Sequence, residues 1–308
     1  MREFSLNKLF SIVLASLLVV LLAISTLSCR QKEEASEKVG VVVTVLPQAE
    51  YVESVGGKRV NITVMVPPGA NVHIYEPTPS QMTALAKAEM YAKVGSGVEF
   101  ELVWIEKLIA ANKYMLVVDC SKGIELQEMI VEPEHEEEHE KGEPEHSSMD
   151  THVWMSPLNA QIMVRNISDG LIQVDPDNKT YYEQNRDAYL QELAELDQNI
   201  RDGLSGVTNR RFMVYHPAFG YFAKEYSLTM LPIEEEGKEP TAAGMAHLIK
   251  QAKEHNIKVI FAEPQFNPQS AEVIAEAIGG RVVFVDPLAR NYIMNMRLLL
   301  DELVQAME

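Results

Sequence analysis

The feature that most constrains the fold is a set of short, almost continuously apolar segments that alternate with helical patterns. Strands apolar on both faces are typical of parallel sheets covered by helices on both sides. The pattern occurs twice, so we predict an α/β fold with two lobes, each a four-stranded parallel sheet with flanking helices. The predicted strands are residues 39–46, 60–66, 89–95 and 114–119, then 211–216, 227–232, 257–263 and 281–287.

A long polar helical pattern lies between the two sets of strands. Residues 179–204 contain neither proline nor glycine before Gly203. The 24 residues before Gly203 would form a helix about 36 Å long, enough to join two lobes as a rigid connection. We therefore predict an N-terminal lobe at 39–175, a linking helix at 176–204 and a C-terminal lobe at 205–308.

The first 29 residues have the pattern of an export signal. Arg2 and Lys8 precede an apolar run at residues 9–24, which ends in small residues before Cys29. We predict a signal peptide at 1–28 and a tether at 29–38 that is lipidated on Cys29. Acylated Cys29 would anchor the protein to the lipid membrane, on the outer face of the cell membrane or in the periplasm. Plain signal cleavage and an uncleaved membrane helix are the alternatives.

Charge and cysteine content exclude several classes of protein. The formal net charge is −18, which argues against binding nucleic acid and is compatible with attracting cations. Beyond Cys29 the chain has a single cysteine, Cys120, so an intrachain disulfide is excluded and the domain must depend on its core.

Four residues able to bind a metal stand next to predicted strand or helix ends. His216 and Asp286 end predicted strands, His73 lies in the loop after a strand, and His152 precedes a helix start at Ser156. Ligands of open parallel sheets bind at the carboxyl ends of the strands, so these side chains are expected to face one crevice. Three imidazoles and one carboxylate suit a four-coordinate borderline ion such as zinc.

Four segments carry a resemblance to a known family. They are VPPGANVHIYEPTPSQ (66–81), DTHVWMSP (150–157), VYHPAFGYFAKEY (214–226) and VDPLA (285–289). They resemble the zinc- and manganese-binding lipoproteins of ABC importers, the cluster A-I solute-binding family, from residue 39 to the C-terminus. The resemblance implies two lobes joined by one long helix, and a metal bound between them by His73, His152, His216 and Asp286.

The same resemblance implies a function and partners. We expect a monomeric, extracytoplasmic binding protein, not an enzyme, that passes Zn²⁺ to a membrane permease with a cytoplasmic ATPase. Manganese binders of the family typically carry a carboxylate where this chain has His216, and the softer imidazole favours zinc over Mn²⁺. Manganese or iron binding, with an adhesin-type role, and binding of an organic solute are the alternatives.

Glu76 and Glu263 are candidates for orienting a histidine ring through a hydrogen bond. The simpler interpretation of Glu76 is an ordinary loop carboxylate. The simpler interpretation of Glu263 is a negative charge at the N-terminus of a helix.

An acidic segment at 132–150 contains three further histidines, His135, His139 and His146. We interpret it as an accessory loop that collects metal ions weakly, with an inert solvated linker as the alternative. Residues 135–139 spell H-E-E-E-H, the zinc-protease pattern, but an apolar helix face is missing around them. The pattern therefore does not indicate an enzyme.

Overall fold

Two parallel four-stranded sheets form the framework of the protein, as predicted. A computed structural model describes residues 38–129, 149–234 and 237–307. The strand order is β2-β1-β3-β4 in the N-terminal sheet and β6-β5-β7-β8 in the C-terminal sheet, with every pair parallel. The strands are β1 (Val39–Val43), β2 (Val60–Val64), β3 (Met90–Lys93), β4 (Leu116–Asp119), β5 (Arg211–Val214), β6 (Thr229–Pro232), β7 (Val259–Ala262) and β8 (Arg281–Phe284).

Helices connect the strands of each sheet. In the described part of the chain, none of them is both long and apolar enough to cross a membrane. They are α1 (Leu46–Gly56), α2 (Pro79–Leu85), α3 (Glu99–Ala111), α4 (Pro157–Val174), α5 (Lys179–Leu204), α6 (Gly220–Glu225), α7 (Ala242–Glu254), α8 (Gln269–Ile278) and α9 (Tyr292–Met307).

Local chemistry explains where several helices begin and end. The Ser156 hydroxyl accepts a hydrogen bond from the Asn159 amide and Pro157 occupies the first turn, as predicted for α4. Helix α8 ends at Gly279, whose φ of 64° suits glycine. Helix α1 begins inside the run predicted as strand 39–46, because the Gln48 side chain accepts hydrogen bonds from the preceding amides and starts a helix there.

The predicted long helix is present as α5, with 26 residues and a length of about 39 Å. The described residues before this helix are called the N-terminal half, and those from 205 onward the C-terminal half. The helix packs against α1 and α4 of the N-terminal half and against α9 of the C-terminal half. Its apolar face, including Leu193, Leu196 and Ile200, is buried. The helix therefore joins the two halves through packing along its length as well as through the chain.

The two halves share one hydrophobic core. A single cluster of buried side chains extends from Val41 in β1 to Leu303 in α9 and includes residues from α5. A smaller cluster lies between the C-terminal sheet and helices α7 and α8. Hydrogen bonds also cross between the halves: the buried Trp154 indole donates to the Pro287 carbonyl at 2.8 Å, and the Tyr292 amide donates to Glu50 at 2.5 Å.

Several predictions concern residues outside the described part of the chain. These are the signal peptide at 1–28, lipidation of Cys29, the tether up to residue 37, and the accessory histidines His135, His139 and His146. They remain predictions.

Candidate metal centre

Three of the four predicted ligands converge at one point. Potential ligand atoms of His73, His152 and His216 all lie within 4.8 Å of one another. His73 lies in the loop after β2, His152 precedes a 3-10 turn at Val153–Met155, and His216 follows β5 by two residues. The N-terminal half thus supplies two imidazoles and the C-terminal half supplies one; His73 and His216 follow strands, and His152 precedes a helix.

The imidazoles meet through their Nε2 atoms. The Nε2 atom of His216 lies 3.3 Å from that of His73 and 3.2 Å from that of His152. In a tetrahedral zinc site with Zn–N distances of about 2.0–2.1 Å, neighbouring nitrogens lie about 3.3 Å apart. The two spacings from the His216 nitrogen therefore match those of a tetrahedral zinc site.

Each of the three imidazoles has a carboxylate at its other nitrogen. Nδ1 of His73 contacts Glu99 at 2.7 Å, Nδ1 of His152 contacts Asp150 at 3.0 Å, and Nδ1 of His216 contacts Glu234 at 2.5 Å. A carboxylate in this position keeps the proton on Nδ1 and orients the ring. The Nε2 lone pairs then point at one another, and a cation between them removes their repulsion.

His216 is buried against the C-terminal half. Its ring stacks on Phe266 with centroids 4.8 Å apart, and 6% of the residue is exposed. Burial lowers the pKa of His216 to about 4, and the contact with Glu234 acts in the opposite direction. The imidazole is therefore neutral at pH 7, the form that binds a metal.

His152 is held by Asp150, two residues earlier in the chain. The Asp150 Oδ1 atom accepts a hydrogen bond from the backbone amide of His152 at 2.9 Å and contacts its Nδ1 atom. Asp150 is fully buried, and its Oδ2 atom lies where a side chain at Gly220 would begin, 2.3 Å from an ideal Cβ. The absence of a side chain at Gly220 in α6 therefore leaves the space that this carboxylate occupies.

The space between the histidines is small. The cavity measures about 20 Å³, which is room for about one water molecule or one ion. Such a cavity does not fit an organic solute. It is lined by Asn71, Val72, His73, His152, His216, Gln265, Phe266, Pro287 and Leu288.

Asp286 is not part of the three-histidine group. Its Oδ1 atom accepts hydrogen bonds from the Gln265 side chain at 2.6 Å and from the Leu288 amide at 2.9 Å. Both partners line the cavity, so Asp286 lies just outside it. To bind the same ion through Oδ1, the carboxylate would have to give up at least part of these contacts, and its role as fourth ligand remains a prediction.

The two carboxylates named from the sequence as orienting groups have different surroundings. Glu263 is buried, and its Oε2 atom accepts a hydrogen bond from the backbone amide of His216 at 3.1 Å, whereas the His216 ring contacts Glu234. Burial raises the pKa of Glu263. Glu76 is exposed, and among the described residues no hydrogen bond joins it to a histidine.

The carboxylates that contact the imidazoles were not among the site residues predicted from the sequence. They are Glu99, Asp150 and Glu234. Asp150 had a local signal, because an aspartate two residues before a histidine commonly accepts hydrogen bonds from the following backbone. Glu99 and Glu234 are separated from their histidines by 26 and 18 residues. Their pairing depends on tertiary structure, which a single sequence does not specify.

The fold and the site together define a class: solute-binding proteins that hold a metal ion between two parallel α/β halves. Residues 41–306 match the family described as zinc-uptake complex component A, periplasmic. The match covers most of the chain, and the protein belongs to this family.

Individual relatives agree with this assignment. The chain is 34% identical over 258 residues to the high-affinity zinc uptake system protein ZnuA of Bacillus subtilis, covering 83% of this chain and 80% of that protein. It is 30% identical over 288 residues to the zinc-binding lipoprotein AdcA of Streptococcus pneumoniae, covering 91% of this chain and 55%, about half, of that relative. A crystal structure of ZnuA superposes with a TM-score of 0.81 at 37% identity, covering 88% of this chain and 100% of the other.

Proposed function

We propose that the protein captures Zn²⁺ with the Nε2 atoms of His73, His152 and His216 and delivers it to an ABC permease for uptake. The observation that carries the proposal is the 3.2 and 3.3 Å spacing of three nitrogens whose rings are each oriented by a carboxylate. Capture and release need no covalent chemistry, so the protein acts as a binding protein. The relatives named for zinc uptake and zinc binding support this function.

The donor set supports zinc over the alternative ions. Three imidazoles form a borderline-soft site, whereas Mn²⁺ prefers carboxylate, carbonyl and water oxygens. A fourth ligand would complete the tetrahedron, and either Asp286 or a water molecule fills that position in the proposal. Manganese or iron uptake with an adhesin-type role remains the alternative within the same family.

The location of the protein follows from the N-terminal pattern and the family. We propose that residues 1–28 direct export and that acylated Cys29 anchors a monomer at the outer face of the cell membrane. The permease and its ATPase are then reached by diffusion along the membrane. In the proposal His135, His139 and His146 collect metal ions weakly.

Metal analysis after competition tests the proposal. The protein is refolded with equimolar zinc, manganese and iron, desalted, and its metal content is measured. We expect about one tightly held zinc per chain, and loss of this zinc in a variant with His73, His152 and His216 all replaced by alanine. Preferential retention of manganese or iron would establish the alternative, and zinc retained by the triple variant would disprove the three-histidine site.

A further inference from the structure

The three imidazole–carboxylate pairs differ in their exposure to solvent. The side chains of His152 and Asp150 are 3% and 0% exposed, and those of His216 and Glu234 are 8% and 4% exposed. The side chains of His73 and Glu99 are 22% and 47% exposed. One pair therefore lies at the solvent side of the site while the other two form its buried base.

The two buried rings are also fixed by packing. His152 lies against the fully buried Trp154, with ring centroids 5.4 Å apart, and His216 stacks on Phe266. His216 follows β5 by two residues, and His152 directly precedes the 3-10 turn at Val153–Met155. A movement of either ring would disturb the core.

His73 lies in an irregular loop, residues 65–78, between β2 and α2. In the central part of the loop, residues 67–74, backbone amides donate hydrogen bonds to other residues of the loop. The Ile74 amide donates to the Asn71 carbonyl, and the His73 amide donates to the Asn71 side chain. Gly69 has a φ of 75° and open space around it, and Ile74 is 79% exposed. Besides the other imidazoles, the polar partner of the His73 ring is Glu99 at the start of α3.

Release of the ion by separation of the two halves would cost more free energy than release by movement of His73. It would break the buried hydrogen bond from Trp154 to Pro287 and the contact of Glu50 with the Tyr292 amide. It would also open the shared core. Moving the His73 side chain instead breaks one solvent-accessible polar contact, that with Glu99, which water can replace.

We infer that Glu99 is a positioning residue that holds His73 against the ion and so sets the rate at which zinc leaves. The inference rests on the proposed zinc-binding function. Zinc departs when the His73–Glu99 contact breaks and the His73 side chain swings outward, while His152 and His216 stay in place. Asp150 and Glu234 hold the base of the site and do not control this step.

The experiment measures zinc release after mixing loaded protein with excess chromogenic chelator in a stopped-flow instrument. Glu99→Gln keeps the shape of the side chain and removes its charge, so we expect the dissociation rate constant to rise about tenfold, in line with substitutions beside metal ligands. Glu106→Gln is the matched control, because it removes the same charge from an exposed position two turns further along α3. Its release rate should equal that of the wild type.

A double-mutant cycle separates positioning from a general effect on the fold. In a His73→Ala background, Glu99→Gln should leave the release rate unchanged, because the residue on which Glu99 acts is missing. The melting temperature of the metal-free protein should be the same for the wild type and for the Glu99→Gln variant. An unchanged release rate in the single variant, or an equal acceleration in the His73→Ala background, would overturn the inference. Failure of the wild type to hold zinc would instead overturn the proposed function.

Discussion

Replacement of His216 by alanine tests the candidate metal centre most directly. His216 is the member of the three-histidine group that the C-terminal half supplies, and its Nε2 atom lies 3.2 and 3.3 Å from those of the other two. The substitution removes one donor atom and leaves His73 and His152 to hold the ion. It also leaves the Glu234 carboxylate, which is 4% exposed, without its imidazole partner.

The expected loss follows from the number of ligands. Zinc held by four protein ligands has an apparent binding free energy of about 10–16 kcal/mol at pH 7, or about 2.5–4 kcal/mol for each ligand. Loss of one imidazole should therefore weaken zinc binding by about 10²- to 10³-fold. The unpaired buried carboxylate should in addition lower the stability of the metal-free protein by about 1–3 kcal/mol.

Competition with a chromophoric chelator at pH 7.5 measures the affinity, and urea unfolding measures the stability. His255→Ala serves as the control, because His255 belongs to the same half, follows α7 and lies outside the three-histidine group. The control should bind zinc like the wild type. An affinity of His216→Ala within threefold of the wild type would refute the assignment of the tight site to these histidines.

Three further outcomes are expected. Deletion of residues 133–148 should leave one tight zinc site in calorimetric titration and remove weaker ones; loss of the tight site would show that this segment supplies a ligand. Gly220→Ala should weaken zinc binding about 10- to 100-fold, because the added methyl group displaces Asp150. Gly206 has open space around it, so Gly206→Ala should leave the affinity unchanged. Equal zinc affinities of the two variants would contradict the role of Asp150. Burial lowers the pKa of His216 to about 4, from about 6.5 in the unfolded chain, so the unfolded state binds a proton first as the pH falls. Between pH 6.5 and pH 4 the metal-free wild type should therefore lose up to about 3 kcal/mol of unfolding free energy relative to His216→Ala. The same pH dependence of urea unfolding in both proteins would contradict this.

The framework of the fold could be predicted because buried parallel strands have a distinctive sequence pattern. Runs such as residues 257–263 are apolar on both faces, and the structure places the fully buried β7 there. The strands end one to three residues earlier than predicted at several places. At β1 the apolar run continues into α1, because hydropathy does not distinguish a buried strand from a buried first turn of helix.

The three histidines could be named for a similar reason. Each stands beside the carboxyl end of a strand or the start of a helix, and topology brings such positions together. The carboxylates that orient them could not be named from the sequence, since 45 aspartate and glutamate residues were available. Glu99 and Glu234 differ from the other acidic residues in where the fold places them, which depends on the packing of α3 and on the segment after β6.

The position of the site at the junction of the two halves links metal affinity to the packing between them. His152 and His216 come from different halves, so their Nε2 separation of 3.2 Å depends on the contacts that hold the halves together. The buried hydrogen bond from Trp154, two residues beyond His152, to Pro287 beside the cavity is the nearest such contact. A small displacement between the halves would separate the two imidazoles beyond the reach of one zinc ion. The continuous core therefore keeps the His152 and His216 imidazoles at zinc spacing before an ion arrives, whereas His73 lies outside this core in a loop and is held by Glu99.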